Sequence, residues 1–376
     1  MKNRFKIVCL IGQLFFLVSC GQEELDVIDD VKEQVNSTTV TFVDEFVLPD
    51  GQEFENTLVG GLSGIDYKDD TWVAISDDSK KPRFYTLDIA YDLNGFQTLK
   101  VIAVATLKDK SGQNFEAETV DSESIRIDDN NVVWSSEGNI NARIDPFVRV
   151  ASIKGDFIAE MNLSRKYGAS DDEKTGPVQN GVFEGLSLSA DNKGYWVNTE
   201  LPLKEDGTAP SVNQGALVRM AYIDKATGEF GKEFAYLLDP IVRPAINGFS
   251  FELNGLVELL EYEDNKFLAL ERSFSAGYGD GGNTVKLYDI DATNATDVSD
   301  VESLNAVNIV MVKKKLLLNF DTIRPQLTNG IVDNIEGITF GPKFSNGRRS
   351  VLVVSDNNFS RLYKQLNQFI LLELQE

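Results

Sequence analysis

Histidine is absent from all 376 residues. That absence excludes a Ser-His-Asp triad, histidine phosphatase chemistry and zinc sites built on imidazole. Cysteine is nearly absent. Cys9 and Cys20 are the only two, and Cys9 falls in a leader described below, so no pair is left to oxidise or to hold a soft metal. Basic residues are scarce, with 36 against 59 acidic ones and a net charge of −23. That balance argues against nucleic acid and anionic membrane surfaces as partners. The apolar run from Ile7 to Val18 is too short to span a bilayer. What remains for chemistry is oxygen, from carboxylates, hydroxyls, amides and carbonyls, and such ligands suit calcium, magnesium or manganese.

The first residues read as a targeting segment. Lys2, Arg4 and Lys6 precede the apolar run, which ends in Leu17-Val18-Ser19-Cys20. This ending resembles a bacterial lipobox, so residues 1–19 are expected to be removed and Cys20 to carry a lipid. Residues 20–38 are polar and acidic and read as a flexible tether. Acidic residues directly behind the cysteine resemble surface-export signals of Bacteroidetes lipoproteins. The expected location is the bacterial envelope, at the outer membrane, with the lipid as the only membrane attachment and a monomeric domain over residues 39–376.

One unit recurs through that domain. Its clearest copy is Asn180 to Glu200, where Leu186 and Leu188 alternate with Ser187 and Ser189. A turn follows at Asp191-Asn192-Lys193-Gly194, and a second strand runs from Tyr195 to Thr199. Related hairpins start at Leu62, Ser122, Leu256 and Ile335. Two further strands follow each hairpin except the fifth, after which QFILLEL is the last apolar stretch. Thr39 to Leu48 can supply the missing strand. Five four-stranded units closed by the two ends of the chain predict an all-β fold, a five-bladed β-propeller. A long loop concealing more strands would make six.

Each hairpin opens beside one oxygen-bearing side chain, in order Ser63, Glu123, Glu184, Glu258 and Glu336. In a propeller these positions form a ring at the central channel. Carboxylates so placed repel one another unless protonated or neutralised, and one Ca²⁺ held by all five is the expected answer. The structural alternative is that each glutamate bonds to a neighbouring blade's backbone. The return strands close on Asp77, Glu137, Glu200, Glu271 and Asp356, which open on the same side. Basic residues join them there: Lys81 and Arg83 after the first hairpin, Arg272 after Glu271, and Arg361 after the fifth. They are candidates for phosphate or carboxylate binding, or salt-bridge partners of the acidic ring.

At these residues the sequence resembles the "esterase-like activity of phytase" family, a phytase-like domain of bacterial secreted proteins and lipoproteins. The resemblance is carried by LSGIDY at Leu62, ISDDS with RFYTL from Ile75 to Leu87, NGVFEGLSLS at Asn180 and YLLD at Tyr236. LALER at Leu268, DNIEGITFGP at Asp333, VLVVSDNNFS at Val351 and the closing NQFILLEL extend it over nearly all of residues 60–375. The family usually carries a basic residue after SDD, where this chain has Ser79. A more distant likeness is to calcium-dependent apyrases, five-bladed propellers that hold one Ca²⁺ by serine and glutamate side chains at blade starts. Ser63 and Glu336 are the best matches. Glu123 and Glu184 fit by order, and the likeness does not decide between Glu258 and a neighbouring oxygen.

Two functions are expected to compete. One is a metal-dependent phosphoester hydrolase acting on a small phosphorylated molecule, with Glu200, Glu271 or Asp77 as general base and Arg272 and Arg83 orienting the phosphate. The other is a non-catalytic propeller that binds a ligand or partner on the same face, with calcium purely structural.

Overall fold

The computed structural model describes residues 38–375, apart from 171, 307 and 361–364. The leader, the tether with Cys20, and Arg361 therefore lie outside the described residues. Five antiparallel four-stranded sheets follow one another along the chain, with one small two-stranded ribbon, Glu53–Phe54 with Thr57–Leu58. Blade 1 holds Leu62–Lys68, Thr71–Ser76, Arg83–Asp92 and Gly95–Thr106. Blade 2 holds Ser122–Asp128, Asn131–Ser136, Phe147–Ser152 and Phe157–Glu160. Blade 3 holds Phe183–Leu188, Gly194–Thr199, Ala216–Asp224 and Phe230–Leu238. Blade 4 holds Glu252–Glu263, Lys266–Ser275, Asn283–Asp291 and Lys313–Asn319.

Blade 5 combines both ends of the domain. Asn334–Phe340, Arg349–Asp356 and Asn367–Gln375 are completed by Thr39–Leu48, which pairs antiparallel with the last strand, Thr39 opposite Gln375 and Leu48 opposite Asn367. This is the closure expected from the sequence. The first strand of each blade packs against the first strand of the next, and that of blade 5 against that of blade 1, so the five form a closed ring.

The inner strands of each blade form where they do because they are covered on both faces. In the last strand, Ile370, Leu372 and Leu374 join a core shared with blade 4, while Phe369 and Leu371 join a core shared with blade 1. That two-sided burial is why the stretch reads as an unbroken apolar run. Three more cores fill the remaining seams: Trp134 and Phe84 between blades 1 and 2, Tyr195 and Val148 between 2 and 3, and Trp196 and Phe267 between 3 and 4. Each buried aromatic or branched side chain contributes about 1.5–3 kcal/mol. Loss of one blade would therefore strip two cores at once.

Every first strand carries a β-bulge, and the bulges set the site. Pairing skips Ser63 in blade 1 and Glu336 in blade 5, and it skips the Glu123–Ser124 and Glu184–Gly185 steps in blades 2 and 3. A bulge turns an extra residue out of the ladder and re-aims its side chain. In blade 4 the skipped residue is Val257, because Leu256 pairs with Glu271 and Glu258 with Leu270. The register of blade 4 thus differs by one residue from the expected one.

Candidate metal centre

The bulges define two successive layers. Ser63, Glu123, Glu184, Val257 and Glu336 are equivalent, and the residues after them are Gly64, Ser124, Gly185, Glu258 and Gly337. The second layer is small because the strands approach closely there. A Cβ on Gly337 would lie 3.0 Å from the Gly64 Cα, and one on Gly185 would lie 2.9 Å from the Glu258 Cα.

Glu258 is the exception in that layer, and it corrects the five-membered ring. Its Oε2 accepts from the Ser124 hydroxyl at 2.7 Å and faces the Arg126 guanidinium at 2.9 Å. Its Oε1 accepts from the Leu186 amide at 2.7 Å and the Leu259 amide at 3.1 Å. Glu258 is wholly buried, as is Arg126, which also donates to the Ile65 carbonyl. Blades 2 and 4 are not neighbours, so this pair reaches across the ring and fills its axis beneath the first layer. Burial moves the Glu258 pKa up to about 7 against the pull of Arg126. With both carboxylate oxygens spent, Glu258 is a plug rather than a ligand.

The same shift corrects the return ends. Asp77, Glu137, Glu200 and Asp356 each follow the partner of the residue before the bulge, and in blade 4 that position is Arg272, not Glu271. Glu271 points into the seam between blades 3 and 4. There it accepts from Tyr236 Oη at 2.6 Å, Lys314 Nζ at 2.6 Å, and the Asp239 amide and Asn254 Nδ2 at 3.0 Å. It is a structural carboxylate with no free oxygen for catalysis. Arg272 instead turns toward the centre, facing Glu200 Oε1 at 3.2 Å and Glu336 Oε1 at 3.3 Å and donating to Asn334 Oδ1.

Arg83 is corrected as well. It is buried, and each of its three nitrogens is bonded, to Tyr85 Oη, Asp78, the Lys81 carbonyl and the Leu58 carbonyl at 2.6–2.8 Å. It braces the first blade and does not face a ligand. Lys81 itself is exposed.

Eight carboxylates gather at the centre: Asp77, Asp121, Glu123, Glu137, Glu184, Glu200, Glu336 and Asp356. Burial raises the pKa of every one, and mutual repulsion adds to it at Asp77, Glu123, Glu137, Glu184 and Glu336. Asp121 and Asp356 move up to about 6 and Glu336 to about 8, while Glu123, Glu137, Glu184 and Asp77 stand well above the ordinary range. Arg272 opposes the shifts at Glu200, Glu336 and Asp356. Burial alone would lower its own pKa, but Glu336, Glu200, Glu184 and Asp356 raise it. Among the described residues, Arg272 supplies the ion pairs seen for these eight groups.

Sequence reasoning missed Asp121 and Asn334, which are equivalent and lie two residues ahead of Glu123 and Glu336. Oxygens of Asp121, Glu123 and Glu137 lie within 4.8 Å of one another. Asn334 Nδ2 donates to Glu336 at 2.9 Å and to Asp356 at 3.3 Å. The shared signal was a polar residue two positions before a blade's glutamate, in DSES and DNIEG.

The family described as "Phytase-like: Esterase-like activity of phytase" matches residues 57–359. The chain belongs to the phytase-like family. No curated protein matches the sequence. Among solved structures, a xylan beta-1,4-xylosidase from Bacillus halodurans C-125 is similar at 10% identity and TM-score 0.46, covering 86% of this chain and 54% of that one. This chain thus spans about half the xylosidase's length. The GH62 alpha-L-arabinofuranosidase catalytic domain of Coprinopsis cinerea is similar at 10% identity and TM-score 0.42, covering 90% and 96% of the two chains. The Malassezia sympodialis allergen Mala s 1 is similar at 9% and 0.42, covering 84% and 93%.

Within this phytase-like propeller, the donor set fits a hard divalent cation. All its atoms are oxygens, and six buried carboxylates with the half-buried Asp77 and Asp121 surround one guanidinium. Asp77 Oδ1 is buried without a hydrogen-bond partner among the described residues. Ser63 adds a buried hydroxyl, which donates to the Ser122 carbonyl at 3.0 Å and keeps its lone pairs.

Proposed function

We propose that the protein is a calcium-dependent phosphoester hydrolase, tethered to the bacterial envelope by a lipid at Cys20. The observation that carries this reading is the excess of buried carboxylate over cation at the top of the ring. Ser63, Glu123, Glu184 and Glu336 would hold the ion, with Asp121 and Glu137 near enough to share it. Bound calcium would supply positive charge to the phosphate oxygens and lower the pKa of a water.

The chain's own residues do the rest. Arg272 carries a planar fork suited to two oxygens of one phosphate, and Glu200 and Asn334 hold that fork in place. Asp77 keeps one oxygen unpartnered, and burial with the neighbouring carboxylates raises its pKa, which makes it a stronger base than an exposed carboxylate. The same ties on Arg272 favour a second reading, in which calcium is structural and the face only binds a ligand.

Assay of phytate, nucleotides and simple phosphoesters, with and without Ca²⁺, separates the two. Calcium-dependent turnover supports the hydrolase. Turnover of none, with Ca²⁺ still bound, supports the binding module. Cell fractionation of a Cys20→Ala variant tests the tether, and unchanged membrane association would overturn it.

A further inference from the structure

We propose that the first hairpin of blade 4 is a recognition wall, so that the ligand of the acidic centre carries a flat apolar group beside its anionic one. The inference rests on the reading that the centre takes an anionic ester, and it narrows the class to aryl-bearing esters.

The hairpin is unusually long. In blades 1, 2, 3 and 5 the two inner strands end near the level of the carboxylates, at the pairs Leu62–Ser76, Ser122–Ser136, Phe183–Thr199 and Asn334–Asp356. The pair in blade 4 equivalent to those of blades 1, 2 and 3 is Leu256–Glu271, and the ladder continues unbroken for four more pairs to Glu252–Ser275, against one more in blade 5. At about 3.3 Å per residue it overhangs the centre by roughly 13 Å.

Alternation decides what the overhang presents. Arg272 and Phe274 share one face of their strand, and Gly255 and Leu253 stand opposite them on the same face. Above the guanidinium that meets Glu200 and Glu336, therefore, the next pair outward is Leu253 with Phe274. Both are half-exposed, and neither belongs to the cores that flank blade 4. Phe251 continues the surface, its ring 5.7 Å from that of Phe274.

Phe251 is 61% exposed and Phe249 is 52% exposed, with Ile246 beside them. Their loop is held firmly. The Ala276 amide donates to the Phe251 carbonyl and the Ile246 amide to the Ala276 carbonyl, both at 3.0 Å. Arg243 grips Asp280 through two bonds of 2.9 and 2.7 Å and lies 3.8 Å from the centre of the Tyr278 ring. Large aromatic side chains displayed on a fixed loop beside a charged centre mark a binding surface. An inositol polyphosphate, polar on every side, would gain nothing from it. An aryl phosphoester would place its phosphate at Arg272 and its ring on Leu253, Phe274 and Phe251.

The test is calorimetric titration of the full-length calcium-loaded protein with two non-hydrolysable probes, 1-naphthylphosphonate and methylphosphonate. The naphthyl probe should bind at least about tenfold more tightly, the order expected for burying an aromatic ring. Phe251→Ser, at an exposed position, should cut that ratio several-fold with little change in methylphosphonate affinity, and Phe274→Ser should cut it further. Equal affinity for the two probes, an unchanged ratio in both variants, or binding of neither probe would overturn the inference. Failure to hydrolyse naphthyl phosphate despite preferential binding would sink the hydrolase reading and leave this one standing.

Discussion

Without calcium, the protein should lose stability as pH rises from about 5 to 8, which is opposite to the usual acid denaturation. Glu336 shows the size of the effect. Burial, with Asp356 and Glu200 beside it, raises its pKa from 4.5 to about 8 despite Arg272. A carboxyl raised in the folded state binds more protons there than in the unfolded chain. Its contribution is therefore present in full below the unfolded value and lost as pH climbs through the folded one. At about 1.4 kcal/mol for each pH unit, the part of that gap between pH 5 and 8 makes Glu336 alone worth on the order of 4 kcal/mol over the window. Asp121 and Asp356, each raised to about 6, act in the same direction over the lower half of the window. The groups titrate together, so the contributions do not simply add. Carboxylates held low by lysine or arginine, such as Asp239 at about 2, change protonation below the window and leave its slope alone. A loss of about 4 kcal/mol corresponds to a fall in Tm of roughly 6 °C for a domain of this size. Differential scanning calorimetry in chelator at pH 5, 6, 7 and 8 reads it directly. Saturating Ca²⁺ should flatten the profile, because an ion that binds only the folded carboxylates stabilises by mass action. A metal-free Tm that stays level or rises from pH 5 to 8, or a slope that calcium leaves unchanged, would refute the reasoning.

Glu184→Gln and Glu336→Gln should each weaken calcium binding at least about tenfold by calorimetry, while Glu229→Gln at the surface and Glu271→Gln in the blade 3–4 seam should leave it unchanged. Arg126→Met strands the buried Glu258 carboxylate and should cost about 3–5 kcal/mol in urea unfolding at pH 8. Near pH 5, where Glu258 is protonated (its pKa is about 7), the cost should be smaller. Deletion of residues 39–48 removes an edge strand that feeds the blade 5–1 core, and should abolish the cooperative thermal transition rather than trim it.

Blade number and strand order were legible in the sequence because each hairpin alternates or runs apolar between clear turns, as in Leu186 to Tyr195. Ring closure was legible because QFILLEL lacked a partner that TVTFVDEFVL could supply. The register of blade 4 was not. A bulge adds one residue without changing the composition around it, so Glu258 and Glu271 passed for members of rings whose positions are held by Val257 and Arg272. Residue type misled where geometry differed: two glutamates went into a plug and a seam, and one arginine went into the centre. Asp121 and Asn334 were missed because one lies just before its strand and the other is the first residue of its strand, where the inside–outside alternation has not yet begun. Arg83 stood beside acidic residues in sequence, yet two backbone carbonyls, Asp78 and Tyr85 hold all three of its guanidinium nitrogens.

The direction of the first strand has a consequence for how the protein meets its surroundings. The carboxylates sit where the inner strands begin and the second strands finish. In blade 5 the third strand, Asn367–Gln375, runs away from them, and Thr39–Leu48 runs antiparallel to it. Thr39 therefore lies at the rear of the ring and Leu48 at the front. A surface to which the chain is fastened through its N-terminal side would pull on the back of the disc, and on its rim rather than its hub.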